Sequence, residues 1–472
     1  MSYVNSSVGY RRRSKRSRVR KRRVFAVAAL FAVIVASALI AHARSGARTR
    51  ASDVVSDARS AHFSGEQARN NTSTIRAGGV RFAWSNGERN ALRRALHGAF
   101  AQALAGANGW SFAVVDAGAR TIYDDRADRA VAPASVQKLV VAATALDVLG
   151  PAYRYQTLFA GRGGVGENGT LDGDLWLVGS GDPSLTSDDL RNGVGTLARS
   201  GLRRIDGGVA VDDTTLSGPG LNPHWGSDDN GQDYAAPTSA ISLDGDTVET
   251  TQDVGGVEQR FWTPMRDVAR YVAGRLNGMF VARGIPLAMP PTIAAAPLDS
   301  VVLWDHRSAP LRTLESHMLF VSDNHYAEQL LRTVGDRAAG NGDDTAGIAA
   351  ERRFLERRGI PAPGLHLYDG SGLSPSNRIA ATTVARLLAD REPELYDLLP
   401  LGGRQGTLED YDFTTALGRV RAKSGHLSNV SALAGYVTTH RHGRVAFAFL
   451  IDGSPGDPDT AIVEAVDRVA AF

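Results

Sequence analysis

The chain has 472 residues, no cysteine and a formal charge of +3. It is long enough for two or three domains, and it excludes disulfides, thiolate catalysis and cysteine-based metal sites. Residues 1–50 carry thirteen Lys/Arg and no Asp/Glu, so the remainder is −10; an acidic body behind a basic tail excludes nucleic acid as its partner.

The tail "RRRSKRSRVRKRR" (11–23) precedes an uncharged apolar run, "VFAVAALFAVIVASALIA" (24–41). Its eighteen residues rise about 27 Å as a helix, close to the roughly 30 Å hydrocarbon core. The arginines hold residues 1–23 in the cytoplasm, so the body is exported across the cytoplasmic membrane. Ala41-His42-Ala43 resembles a signal-peptidase site, so segment 24–43 is either cut away or kept as a membrane anchor. Residues 44–78 are polar and aperiodic, a linker.

Helical spacing begins at 86–109, with Leu92, Leu96, Phe100 and Leu104 on one face. "WSFAVVDAGARTIYDD" (110–125) predicts a hairpin around Ala117-Gly118. Pro133 opens a helix expected from Ala134 to Leu149, stopped by Gly150-Pro151. From 156 to 305 short strand-like runs alternate with Gly/Asp turns, and helical periodicity is largely missing until 267–284. This stretch reads as a mainly β insertion. Helical pattern returns at 311–335 and continues to about 390. "RVRAKSG", "VSALAGYVTTH" and "VAFAFLIDG" predict three antiparallel strands, and "DTAIVEAVDRVAAF" a closing helix. The expected fold is α+β: an antiparallel sheet flanked by helices, built from 79–155 and 306–472, with 156–305 inserted.

Lysine is nearly absent. Only Lys15, Lys21, Lys138 and Lys423 occur, and from residue 51 onward 38 of 40 basic residues are arginine. Lys138 follows Ser135 by three positions, which places both on one helix face. A serine hydroxyl needs a base to become a nucleophile. Lysine can be that base once burial and neighbouring charge lower its pKa, whereas arginine cannot lose its proton. This is a reason for lysine at 138. Lys423 opens Lys423-Ser424-Gly425, and "VSDNHYAEQL" contains Ser322-Asp323-Asn324. His317, His325, His440 and His442 show no metal-ligand spacing, with His440 and His442 in a hairpin turn expected to be solvated. Asp212-Asp213 reads as a turn. No metal or cofactor is expected.

In order, S-x-x-K, S-D-N and K-[ST]-G resemble the motif set of penicillin-binding proteins and serine β-lactamases. In that frame Ser322 relays a proton to the leaving group and Asn324 holds a substrate amide. Lys423 docks a substrate carboxylate and depresses the pKa of Lys138 by like-charge repulsion. A strand through 420–427 pairs with an extended peptide, and the N–H groups of Ser135 and His426 form an oxyanion hole.

The wider chain, over roughly 80–470, resembles the D-alanyl-D-alanine carboxypeptidase/endopeptidase group, the low-molecular-mass class C penicillin-binding proteins of peptidase family S13. The stretches that carry this are "GSGDPSL" (179–185), "YAAPTSAISLDGDTVE" (234–249), "SDNHYAEQLLR" (322–332), "YDGSGLSPSNR" (368–378), "GTLEDY" (406–411) and "RVRAKSGHLSNVSALAGY" (419–436). The resemblance implies a penicillin-binding serine DD-peptidase acting on peptidoglycan stem peptides. Ser135 forms the acyl-enzyme, Lys138 is the base, Ser322 the relay and Lys423 the carboxylate anchor; Asp182 reaches a side-chain amine of the stem peptide. Two positions depart: Ser424 and His426 stand where the family has threonine. Serine keeps the hydroxyl. His426 is expected to contribute only its backbone. The rival readings are a β-lactamase-like hydrolase and a wall-binding scaffold with a relic site.

Overall fold

The computed structural model describes residues 83–253, 256–454 and 456–472. The basic tail, the apolar run at 24–43 and the linker at 44–78 lie outside the described residues. Among the described residues no helix is long and apolar enough to cross a membrane.

Helix α1 (Asn86–Phe100) starts at a capping box in which the Ser85 hydroxyl accepts from Glu88 N and the Glu88 carboxylate accepts from Ser85 N. This satisfies two orphan N–H groups of the first turn. The hairpin β1 (Gly109–Val115) and β2 (Thr121–Asp125) follows, then the short β3 (Ala130–Val131). Residues Ala134–Gln137 form a tighter 3₁₀ turn, not the first turn of the expected helix, and α2 (Lys138–Val148) continues from it. Nine consecutive residues of α2, Lys138 to Leu146, are buried; a helix apolar on all sides belongs in a core.

A second sheet comes next. Its strands are β4 (Gln156–Gly161), β6 (Leu175–Val178), β8 (Val209–Asp212), β11 (Thr292–Ile293) and β12 (Val301–Arg307), in the order β11-β8-β6-β4-β12. Between them lie the short pair β5 (Thr170–Leu171) and β7 (Arg204–Ile205) and the hairpin β9 (Thr247–Asp253) with β10 (Glu258–Pro264). Two helices, α3 (Ser187–Arg199) and α4 (Val268–Ala282), pack on this sheet through Leu190, Val194, Leu197, Val272, Leu276 and Phe280. The sequence pattern misses α3. Gly193 and Gly195 read as turn residues, yet Gly193 is a close approach: a Cβ there would lie 2.6 Å from the Phe159 ring.

The chain returns through α5 (Leu311–Val321), α6 (Asn324–Ala339), α7 (Asp344–Arg357), β13 (Ile379–Ala380), α8 (Ala381–Asp390) and the single turn α9 (Glu392–Leu395). It closes with β14 (Val420–Leu427), β15 (Val430–Thr438), β16 (Arg444–Asp452) and α10 (Pro458–Ala470). The main sheet, β14-β15-β16-β1-β2, is antiparallel throughout and joins the two ends of the described chain. Strand alternation sorts its faces. On β16, Phe447, Phe449 and Ile451 meet α1 and α10, while Ala446 and Ala448 leave room for α2 and α8. β14 is the last strand on one side, and among the described residues its outer edge pairs only through a single bridge from Leu401 to Arg421. His442, expected to be solvated, is instead buried and stacks on Trp84 at 4.1 Å. Asp212 and Asp213 organise neighbouring loops, accepting from Thr214 and Ala296 and from Ser239 and Ile241.

Candidate active site

Ser135 sits on the 3₁₀ turn, preceded by Ala134 in the left-handed region at φ 47°. In a 3₁₀ turn residues i and i+3 eclipse one another, so the turn brings Lys138 beneath Ser135 more closely than an α-helix does. Lys138 Nζ lies 2.9 Å from Ser135 Oγ, 2.7 Å from Asn324 Oδ1 and 2.7 Å from the Ser371 carbonyl oxygen. The last two can only accept. A neutral amine gives its two N–H bonds to them, and its lone pair then points at the Ser135 hydroxyl. Lys138 is fully buried, and burial pushes its pKa down to about 8 against the opposing pull of Glu328, Asp369 and Asp323. An amine so placed can strip the serine proton near neutral pH.

α5 ends at Ser322, which takes the left-handed conformation, φ 63°. A non-glycine residue there costs of order 1–2 kcal/mol, and such strain gathers at functional sites. Asp323 caps α6 by accepting from Tyr326 N at 3.1 Å. Ser322 is half-buried, and its hydroxyl bonds to no other described residue. Asn324 is engaged at both ends of its amide, because Nδ2 donates to the Tyr234 carbonyl at 2.9 Å. Asn324 thus orients Lys138 and ties α6 to the loop around Tyr234, and its amide keeps a second N–H and a second lone pair.

β14 supplies the opposite wall. Gly402 N donates to Val420 O and Ala422 N donates to Pro400 O, so the peptide groups of these even-numbered residues face away from β15. With a period of two, those of Ser424 and His426 face the same way, beyond the part of the edge that 400–402 covers. Gly425 presses against the turn: a Cβ there would lie 2.9 Å from Pro133 O and 3.0 Å from Ser135 N. Only glycine lets the edge come this near, and the residue that follows it, His426, has its N–H on the side that faces away from β15. Two N–H groups in this position can hold an oxygen that gains negative charge.

Lys423 is fully buried, with Nζ donating to the Ser424 carbonyl at 2.7 Å. Burial first, and the charge of Lys138 second, hold its pKa well below the usual lysine range. Burial is the leading cause at both lysines, and repulsion between the two amines works in the same direction. The Ser424 hydroxyl donates to Thr407 Oγ1 at 2.9 Å. The His426 ring, expected to be idle, is in use. Its Nε2 lies 3.0 Å from Asp459 Oδ1 and 3.4 Å from the Tyr411 hydroxyl, which ties the strand end to α10 and to the 406–411 segment.

Asp182 lies below the surface. Its carboxylate is buried, accepts from the backbone and hydroxyl of Ser184, and lies 3.9 Å from His306. Burial pushes its pKa up. Asp228, Asp229 and Asp233 lie on the loop whose Tyr234 carbonyl accepts from Asn324.

Sequence reasoning missed Ser371, Glu328 and Asp369. Asp369 gathers the 369–377 loop by accepting from Gly372 N, Ser374 N, Asn377 Nδ2 and Trp225 Nε1. The Gly-Ser-Gly triplet within "YDGSGLS" was the available signal. The group that reaches the amine, however, is a main-chain carbonyl, which no residue type announces.

Residues 92–256 and 254–471 match the D-Ala-D-Ala carboxypeptidase 3 (S13) family. A D-alanyl-D-alanine carboxypeptidase of Actinomadura sp. strain R39 is 29% identical over 439 residues, covering 77% of this chain and 81% of that protein. A carboxypeptidase of Mycobacterium tuberculosis is 34% identical over 350 residues, covering 68% and 71%. Penicillin binding protein 4 of Haemophilus influenzae superposes with a TM-score of 0.71 at 22% identity, covering 79% of this chain and 97% of that one, which shows the shared α+β fold. The chain belongs to the D-Ala-D-Ala carboxypeptidase 3 (S13) family and is a serine-type D-Ala-D-Ala carboxypeptidase.

Proposed function

We propose that Ser135 attacks the carbonyl carbon of the penultimate D-Ala in peptidoglycan stem peptides and forms an acyl-enzyme. Lys138 takes the serine proton as the Oγ–carbon bond forms. The carbonyl oxygen becomes an oxyanion held by the N–H groups of Ser135 and His426. Ser322 passes a proton to the departing amine as the peptide bond breaks, and water then releases the acyl group. The terminal carboxylate docks at Lys423, whose buried amine takes up a proton more readily once an anion stands beside it. The substrate backbone lies along the open edge of β14 as an added strand. A free amine on the stem peptide meets the acidic 228–233 loop, in place of Asp182.

The observation that carries this reading is the threefold environment of Lys138 Nζ, two acceptors and one serine hydroxyl. A β-lactam offers the same carbonyl and carboxylate, so penicillin acylates Ser135. The body works outside the cytoplasmic membrane, delivered by segment 24–43. Labelling with a fluorescent penicillin tests the chemistry: the wild type becomes labelled and Ser135→Ala does not. Purified monomeric and cross-linked muropeptides test the substrate, with free D-Ala released from the former and monomers from the latter. A wild type that takes no label and cuts neither substrate refutes the reading.

A further inference from the structure

The two pure acceptors that hold Lys138 Nζ both depend on α6. Asn324 is its first residue. Ser371 lies far along the chain, on the 369–377 loop, and is tied to α6 by one side chain. Glu328, one turn beyond Asn324 on the same face of the helix, accepts from Ser371 N at 2.7 Å and from Gly370 N at 3.2 Å with each oxygen. It is buried and forms no salt bridge among the described residues. The chemistry above assigns it nothing to do.

We propose that Glu328 is a positioning residue for the general base: it clamps the Gly370–Ser371 backbone so that the Ser371 carbonyl holds Lys138 Nζ. The inference rests on Lys138 being the base. Four charged groups face that amine or its partners: Glu328, Asp369, Asp323 and Lys423. Asp369 is absorbed by three donors of its own loop and by Trp225, and Asp323 caps α6 and meets His317. Glu328 spends its bonds on the loop that carries an acceptor of the amine. Each of its oxygens faces N–H donors, an arrangement that favours the ionised carboxylate. Burial, joined by the charges of Asp369 and Asp344, outweighs these bonds and pushes its pKa up. In either protonation state Glu328 fixes the carbonyl by geometry, and where it is ionised it also favours the ammonium form of Lys138 by charge.

These two effects separate in two variants of the full chain. Glu328→Gln keeps an acceptor for the loop and removes the charge. The Lys138 ammonium is then less favoured, so the acidic limb of penicillin acylation moves to lower pH by about one unit. Glu328→Ala frees the loop and the Ser371 carbonyl. Its plateau acylation rate falls roughly 100-fold, while the non-covalent binding of the penicillin changes little. A purely structural role predicts something else: less folded protein and a lower melting temperature in both variants, with the limb of the folded fraction at its wild-type pH. That result overturns the proposal. If Glu328→Ala does not fold, Glu328→Gln decides alone. A wild type that is never acylated overturns the Ser135–Lys138 reading and this one with it. A wild type that acylates, with Glu328→Gln unshifted, overturns this one only.

Discussion

In the proposed mechanism acylation requires Lys138 with a free lone pair, so its rate follows the neutral fraction of that amine. An ordinary lysine, with pKa 10.5, loses its proton at pH 7 at a cost of about 4.8 kcal/mol, at 1.36 kcal/mol per unit. Burial in this site brings the pKa to about 8. The residual cost is about 1.4 kcal/mol, a neutral fraction of roughly one in ten at pH 7. The charged form is the inactive one, so the rate rises with pH and levels off above about 8. The second-order rate constant for a fluorescent penicillin is measured from about pH 5.5 to about 9.5 at constant ionic strength, with circular dichroism at each pH to establish folding. The expected slope is about tenfold per unit on the acidic side, and at pH 6 the rate is about one hundredth of the plateau. Lys138→Arg removes acylation at every pH, because guanidinium stays protonated. A rate that is flat between about pH 6 and 8, or acylation by Lys138→Arg at the wild-type rate, refutes the assignment of this amine as the base.

Two further substitutions test the packing around it. Gly425→Ala places a methyl 3.0 Å from Ser135 N and 2.9 Å from Pro133 O, which drives β14 off the turn and separates the two N–H donors. Acylation by the folded fraction should drop about 10²–10³-fold, the loss of one oxyanion donor, with a lower melting temperature from the same overpacking; wild-type acylation would mean that His426 N–H takes no part. Gly193→Ala puts a methyl 2.6 Å from the Phe159 ring. It should cost about 1–3 kcal/mol by overpacking, read as a lower urea midpoint, and leave acylation by the folded fraction as in the wild type.

What the sequence disclosed and what it hid divide along a physical line. The strand alternation of 420–452 and the apolar helix 138–148 are periodic signals, so the main sheet and its central helix were readable. The lone lysines stood out because arginine is the default cation of this chain, and arginine cannot serve as the base proposed for Lys138. Three features depend on tertiary contacts that local grammar does not show. Asp182 is buried, with Ser184 folded back on it. α3 lies inside a stretch read as strands and turns, and its close packing on Phe159 needs a glycine at 193. His426 carries no motif role, but Asp459 and Tyr411 reach its ring from elsewhere in the chain. The direction of the Lys138 lone pair was beyond reach for a further reason. Side-chain chemistry says that an amine can be a base. Which way its lone pair points depends on where its N–H bonds are consumed, and one of those acceptors is the backbone oxygen of Ser371, 233 residues away. Spacing motifs record the groups that react. The groups that aim them include peptide carbonyls common to every residue type, and so the aim is legible only once the chain has folded.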